Sequence, residues 1–156
     1  MEATFTFKLK NSWSLEEAQR QKASGGALKT HQVFLEKGKR LEISAEKRFK
    51  GDGSKFNPEE LLLAALSSCH FMSYLYVCEL AGIIVVNYSD CPEGILELHN
   101  DGSGAFSKVI LKPEVTIENP KDVETAKALH KKAGDLCFIA NSCVFPIEYY
   151  PEVNSI

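Results

Sequence analysis

The segment from Asn57 to Gly82, NPEELLLAALSSCHFMSYLYVCELAG, constrains the fold more than any other part of the chain. Asn57 suits a helix N-cap, Pro58 suits the first helical position, and Glu59 and Glu60 complement the positive end of the helix dipole. Gly82 supplies the stop. At about 100° per residue, Leu62, Ala65, Leu66, Cys69, Met72, Ser73 and Tyr76 share one face. Phe71, Tyr74, Leu75 and Cys78 lie on the other. A helix apolar on both faces is covered on both. In a domain this small, a sheet covers one side and a second subunit is the simplest cover for the other.

The flanking sequence supplies the sheet. TFTFKL (Thr4 to Leu9) alternates as a first strand does, and Ser14 with Glu17 forms a capping-box pattern for a short helix. THQVFLEKGKRLEISAEKRF alternates on both sides of EKGK, a hairpin with Gly38 at its turn. KGDGSKFNP is a Gly/Pro-punctuated loop. IIVVNYSD and GILELH are strands separated by a turn at Cys91-Pro92. SKVILKPEVTIE is a strand pair or one bent strand, with Pro113 at a bulge or edge. NPKDVETAKALHKKAGD repeats the Asn-Pro helix start and ends near Gly134. LCFIANSC reads as one further helical turn capped by Asp135, and VFPIEYYPEV as a closing edge strand. The fold class is therefore α+β, a mainly antiparallel sheet with two main helices, in a single domain over residues 1–156.

The formal net charge is −3, and no Lys/Arg stripe offers a phosphate footprint, so nucleic acid is not an expected partner. The start of the chain lacks a basic region followed by an apolar run. The longest uninterrupted apolar run, LLLAAL, is far short of a bilayer span. The expected location is cytoplasmic, where the five cysteines are reduced at rest. No CxxC pair or Cys/His zinc spacing is present and the cysteine count is odd, so a disulfide framework is not expected, while a redox or nucleophilic cysteine is open.

Cys69, in the middle of the long helix, has three possible roles: packing, metal ligand or nucleophile. Free cysteines are commonly buried and inert. His70 points about 100° away from it. A mid-helix thiol gains little from the helix dipole, so a reactive Cys69 needs a nearby cation. Arg48, in EKRFKGDG just upstream, is the guanidinium available, and Cys137 follows the second, basic helix in HKKAGDLCFIANS.

Taken in order, RFKGDGSKFNPEELLLAALSSC and HKKAGDLCFIANS resemble the osmotically inducible protein C and organic hydroperoxide resistance (OsmC/Ohr) family. The resemblance runs from about Glu36 to Val153. It rests most on the Arg-Phe-x-Gly loop, the NPEELLLAAL helix start, the cysteine ten residues after Glu59, and the second cysteine behind a basic helix. Three positions depart from the family pattern. His70 stands where many members have phenylalanine, Phe138 follows Cys137 where better-studied members have proline, and Cys143 is an additional thiol. The CFIANS form resembles a less characterised branch.

The resemblance implies two intertwined subunits with the long central helix buried at the homodimer interface. It implies a thiol-dependent peroxidase acting on organic hydroperoxides, with Cys69 as peroxidatic cysteine and Cys137 as resolving cysteine. Arg48 is then the thiolate-stabilising arginine and Glu59 the glutamate that holds it. The reductant is a dithiol, in this family typically on a lipoylated protein, and no metal, flavin or other cofactor is required. Because Glu59 lies about 15 Å along the helix from Cys69, the sites are expected to be composite across the dimer. The alternatives are a non-enzymatic protein of the same fold that binds a small apolar ligand or senses redox state, and a structural dimer with inert thiols.

Overall fold

The computed structural model describes residues 3–156; Met1 and Glu2, which open the alternating N-terminal stretch, lie outside the described residues. The chain forms two compact units, one ending at Leu61 and the other beginning at Leu62.

The first unit is built on β1 (Leu9–Ser12), α1 (Leu15–Ala23), β2 (His31–Leu35) and β3 (Arg40–Ile43), with the strands in the order β1-β2-β3. Ser14 caps α1 by accepting the Glu17 N–H at 3.3 Å, as its capping-box pattern predicts. The expected hairpin is β2–β3, antiparallel, with Phe34 opposite Arg40. Its turn puts Lys37 and Gly38 at φ 61° and 75°, a geometry that glycine accepts freely.

The first strand is displaced from its expected place. Pairing starts at Leu9, opposite Leu35, rather than at Thr4. Beyond Leu35 the chain turns through Glu36–Gly38, so no strand lies opposite residues 4–8. Phe5 and Phe7 alternate correctly yet stay exposed. After β3, the loop to residue 56 is tied back to its origin. Ser44 N–H donates to the Phe56 carbonyl, the Ser44 hydroxyl accepts the Asp52 N–H, and Ile43 bridges Phe56. Gly51 is required here, because a Cβ would stand 1.6 Å from the Ala45 carbonyl oxygen.

The boundary between the units falls one turn into α2 (Pro58–Leu80). Asn57 caps it as expected: its side-chain oxygen accepts the Glu60 N–H at 2.8 Å, and the Glu60 carboxylate accepts the Asn57 N–H at 3.4 Å. Gly82, at φ 71°, ends it. By length and composition α2 is apolar enough to cross a membrane, a test that the core helix of a soluble domain also passes.

The second unit carries two three-stranded sheets. One has the order β4-β7-β9, from β4 (Val85–Asp90), β7 (Pro113–Ile117) and β9 (Glu152–Ser155). The other has the order β5-β6-β8, from β5 (Glu93–Leu98), β6 (Gly104–Leu111) and β8 (Ile147–Tyr149). SKVILKPEVTIE is thus a pair of strands that do not pair with each other, since Pro113 begins β7 in the other sheet. VFPIEYYPEV is likewise split, with β8 and β9 parallel to β6 and β7 on the edges of separate sheets. Of the strand pairs, β1–β2, β2–β3, β4–β7 and β5–β6 are antiparallel, which gives the α+β class its mainly antiparallel character.

Helices α3 (Val123–Leu136) and α4 (Phe138–Asn141) complete the unit. Tyr74, Val77 and Cys78 of α2 pack with Val115, Ile117, Ala126 and Ala133 in one core, and Leu66 packs with Val109, Leu111 and Cys137 in another. The stripe of α2 that is buried is Leu66, His70, Tyr74, Val77 and Cys78. The face expected to carry Cys69 is largely open in the single chain, with Met72 61% and Tyr76 53% exposed.

Candidate active site

Cys69 projects from the middle of α2, half-buried, into a pocket of about 360 Å³ lined by Cys69, Met72, Ser73, Tyr76, Leu136 and Phe138. Its wall is almost wholly apolar. Phe71, on the other side of the helix, packs against Tyr88 with the ring centroids 4.7 Å apart and the planes tilted by 46°. Tyr76, Leu136 and Phe138 carry no sequence signal that separates them from core residues.

Behind Cys69 lies Cys137, fully buried in the core cluster against which Cys69 packs. Cys137 occupies the junction between α3 and α4, with φ −75° and ψ 107°, and closes one helix while opening the next. Its sulfur accepts the Ala140 N–H at 3.4 Å. This corrects the expected capping role of Asp135, which lies inside α3 because that helix continues past Gly134 to Leu136. Gly134 is held there by contact, since a Cβ would meet the Tyr149 phenol at 3.0 Å.

Burial, with the neighbouring Cys69 thiol adding to it, pushes the Cys137 thiol up to about 11, against the opposing pull of the Ala140 and Ile139 N–H groups. Cys137 therefore keeps its proton at neutral pH. The second-helix thiol is closed and protonated; the central-helix thiol faces an apolar pocket. Cys143 is half-buried and also raised by burial, and it donates its S–H to the Ile139 carbonyl at 3.2 Å. Cys78 is buried and raised for the same reason, and Cys91 is exposed.

His70 is accounted for by a partner that the sequence did not single out. Its Nε2 lies 3.0 Å from Nδ1 of His130 on α3, and both rings are fully buried. His130 stacks on Tyr74 at 3.8 Å and His70 on Tyr149 at 4.7 Å. A histidine on the buried stripe of α2 thus finds one partner in a second histidine sixty residues away, a pairing without any local signature, while His70 Nδ1 and His130 Nε2 have no hydrogen-bond partner among the described residues.

Arg48 and Glu59 lie in the first unit. The Arg48 guanidinium is held by Glu46, whose Oε2 accepts the Arg48 Nε–H at 3.0 Å and its backbone N–H at 2.6 Å. The Arg48 side chain is 75% exposed. Glu59 does not hold Arg48 within the chain: its Oε2 is buried and has no hydrogen-bond partner among the described residues.

Residues 51–149 match the family model for OsmC-like protein. The protein YmaD of Bacillus subtilis (strain 168) is 29% identical over 115 residues, covering 72% of this chain and 76% of that one. Among solved structures, an OsmC-like protein from Vibrio cholerae superimposes with a TM-score of 0.79 at 24% identity, covering 96% of this chain and 99% of that chain. The organic hydroperoxide resistance protein OsmC from Legionella pneumophila gives a TM-score of 0.72 at 20% identity, over 99% of this chain and 100% of that chain. The solved structures share the α+β fold, and the family-model match over residues 51–149, more than half of the chain, establishes that it belongs to the OsmC-like protein family.

Proposed function

We propose that this protein is a cysteine-based peroxidase that reduces organic hydroperoxides, and hydrogen peroxide less readily. The observation that carries this reading is the pairing of Cys69, open to an apolar pocket, with Cys137, buried in the core cluster against which Cys69 packs. A sulfur at an apolar opening meets an alkyl hydroperoxide more favourably than a small hydrophilic one, because the pocket wall gains from covering the organic tail.

The Cys69 thiolate attacks the terminal peroxide oxygen. The O–O bond breaks, the alkoxide leaves as an alcohol with one proton, and Cys69 becomes a sulfenic acid. The Cys137 sulfur then attacks the sulfenic sulfur, forming the Cys69–Cys137 disulfide and releasing water. A dithiol reductant, of the kind carried on a lipoylated protein, exchanges with the disulfide and restores both thiols.

Arg48 favours the thiolate and Glu59 positions Arg48, across a homodimer with composite sites. Two features support that arrangement: the unpartnered buried carboxylate oxygen of Glu59, and the exposed Met72, Leu75, Tyr76 and Leu80 along α2. A buried carboxylate requires a donor, and a second subunit supplies both the cation and the cover for the apolar face. A single domain over the whole chain and a cytoplasmic location belong to the same reading.

The test is a steady-state assay with dihydrolipoamide as reductant. Wild type should consume cumene hydroperoxide faster than hydrogen peroxide, and Cys69→Ser should abolish both activities. Turnover retained by Cys69→Ser overturns the assignment. The apolar pocket also favours a second reading, a non-enzymatic binder of a small apolar ligand; that reading predicts ligand uptake by wild type and Cys69→Ser alike, with no turnover.

A further inference from the structure

Two thiols grip one peptide group on opposite sides. The Ala140 N–H donates to Cys137 Sγ at 3.4 Å, and Cys143 Sγ–H donates to the Ile139 carbonyl at 3.2 Å. The Ile139 carbonyl and the Ala140 N–H belong to the same peptide unit, whose trans planarity points them in opposite directions. The two sulfurs are consequently roughly 8 Å apart, with the peptide between them. A disulfide needs about 2 Å, so Cys143 reaches Cys137 only if α4 comes apart.

The peptide they share belongs to a helix of four residues, too short to persist on intrinsic propensity. Side chains hold it. Ser142 Oγ donates to the Phe138 carbonyl at 2.8 Å, and Asn141 Nδ2 donates to the Asp135 carbonyl at 3.0 Å. The Ile139 carbonyl of the peptide whose N–H faces Cys137 accepts two bonds, from the Ser142 N–H at 3.0 Å and from the Cys143 S–H at 3.2 Å, and Cys143 supplies the side-chain one.

We propose that Cys143 is a positioning residue for the resolving step: its S–H fixes the Ile139–Ala140 peptide so that the Ala140 N–H holds the Cys137 sulfur against Cys69. The proposal rests on the reading of Cys137 as resolving cysteine. Its chemical content is specific. Cys137 loses its proton as it attacks the Cys69 sulfenic acid, and the Ala140 N–H is a fixed donor toward the sulfur on which that charge develops. Without the Cys143 S–H the peptide keeps only the Ser142 N–H on its carbonyl and tilts more readily, the sulfur holds its donor less firmly, and the sulfenic acid survives long enough for a second peroxide to oxidise it to sulfinic acid.

The test compares Cys143→Ala, which removes the donor, with Cys143→Ser, which keeps an O–H in its place. In the reduced protein, hydrogen exchange at the Ala140 amide should be about tenfold faster in Cys143→Ala than in wild type, and near the wild-type rate in Cys143→Ser. With excess cumene hydroperoxide, the fraction of Cys69 reaching sulfinic acid should rise in Cys143→Ala and return toward wild type in Cys143→Ser. Unchanged exchange in Cys143→Ala overturns the proposal. So does a Cys69–Cys143 disulfide formed by Cys137→Ser, which would make Cys143 a second resolver. If wild type forms neither disulfide nor sulfinic acid, the peroxidase reading fails, while the exchange comparison still decides the clamp.

Discussion

The Nε2 of His70 and the Nδ1 of His130 lie 3.0 Å apart inside the second unit, so one imidazole donates and the other accepts. That relationship requires at least one ring to stay neutral as the acceptor, so the pair breaks when both are protonated. Burial lowers His70 to about 4, with the Asp90 charge acting weakly in the opposite sense. Burial and the neighbouring His70 lower His130 to about 3. The other titratable groups stacked against the pair, Tyr74 and Tyr149, are raised by burial and stay uncharged.

Stability should therefore depend on pH through these two rings. Both folded values lie below the unfolded histidine value, so the unfolded state binds more protons as pH falls below about 6.5. Their contribution is complete above that pH and is lost progressively toward the folded values of about 4 and 3. Between pH 7 and pH 5.5 the pair should cost roughly 2–3 kcal/mol, measured by urea unfolding. His70→Phe should halve this dependence and cost about 1–3 kcal/mol at pH 7, because His130 loses its partner. A dependence that His70→Phe leaves unchanged would show that other groups are responsible.

The loop that carries Arg48 should tolerate no side chain at position 51. A Cβ there would stand 1.6 Å from the Ala45 carbonyl oxygen, so backbone must move. Gly51→Ala should destabilise by about 2 kcal/mol or more and depress peroxidase activity by displacing the Arg48 loop. Alkylation of Cys69 by iodoacetamide at high pH should be little altered, which separates loss of the loop from loss of the nucleophile. Wild-type stability and activity in Gly51→Ala would contradict the contact.

Asn57 and Glu60 bond reciprocally at the start of α2. Asn57→Ala should cost about 1 kcal/mol in chemical denaturation, a loss that Asn57→Asp largely avoids. An equal loss in both variants would mean that the buried Asn57 amide matters for contacts other than the cap.

What was legible follows from range. Asn57, Pro58 and Gly82 declared α2 because capping is local chemistry, and Gly38 declared the hairpin for the same reason. Strand alternation at Phe5 and Phe7 was real but misplaced β1, since pairing depends on where β2 ends rather than on the pattern of one strand. The buried stripe of α2 was not assigned in the sequence, because periodicity gives faces but not which one is covered, and His70 lies on the covered one. Cys69 and Cys137 were visible through a family resemblance. Their contact, the cap on α4, and the neutral His70–His130 pair are long-range arrangements that no local signal carries.

Phe138 follows Cys137 and walls the Cys69 pocket while remaining 81% exposed. Phe138→Ala should lower kcat/KM for cumene hydroperoxide by about three- to tenfold and leave the value for hydrogen peroxide nearly constant, since only the organic tail uses the wall. Equal losses for both peroxides would indicate damage to the thiols rather than to the pocket.

The account stands most directly on one mapping experiment. Fully reduced protein is treated with one equivalent of cumene hydroperoxide, quenched with an alkylating reagent, and digested for mass spectrometry. A Cys69–Cys137 disulfide is expected, with Cys78, Cys91 and Cys143 recovered as alkylated thiols. Recovery of Cys69 and Cys137 as free thiols, or of Cys69 bonded to another cysteine, would contradict the account.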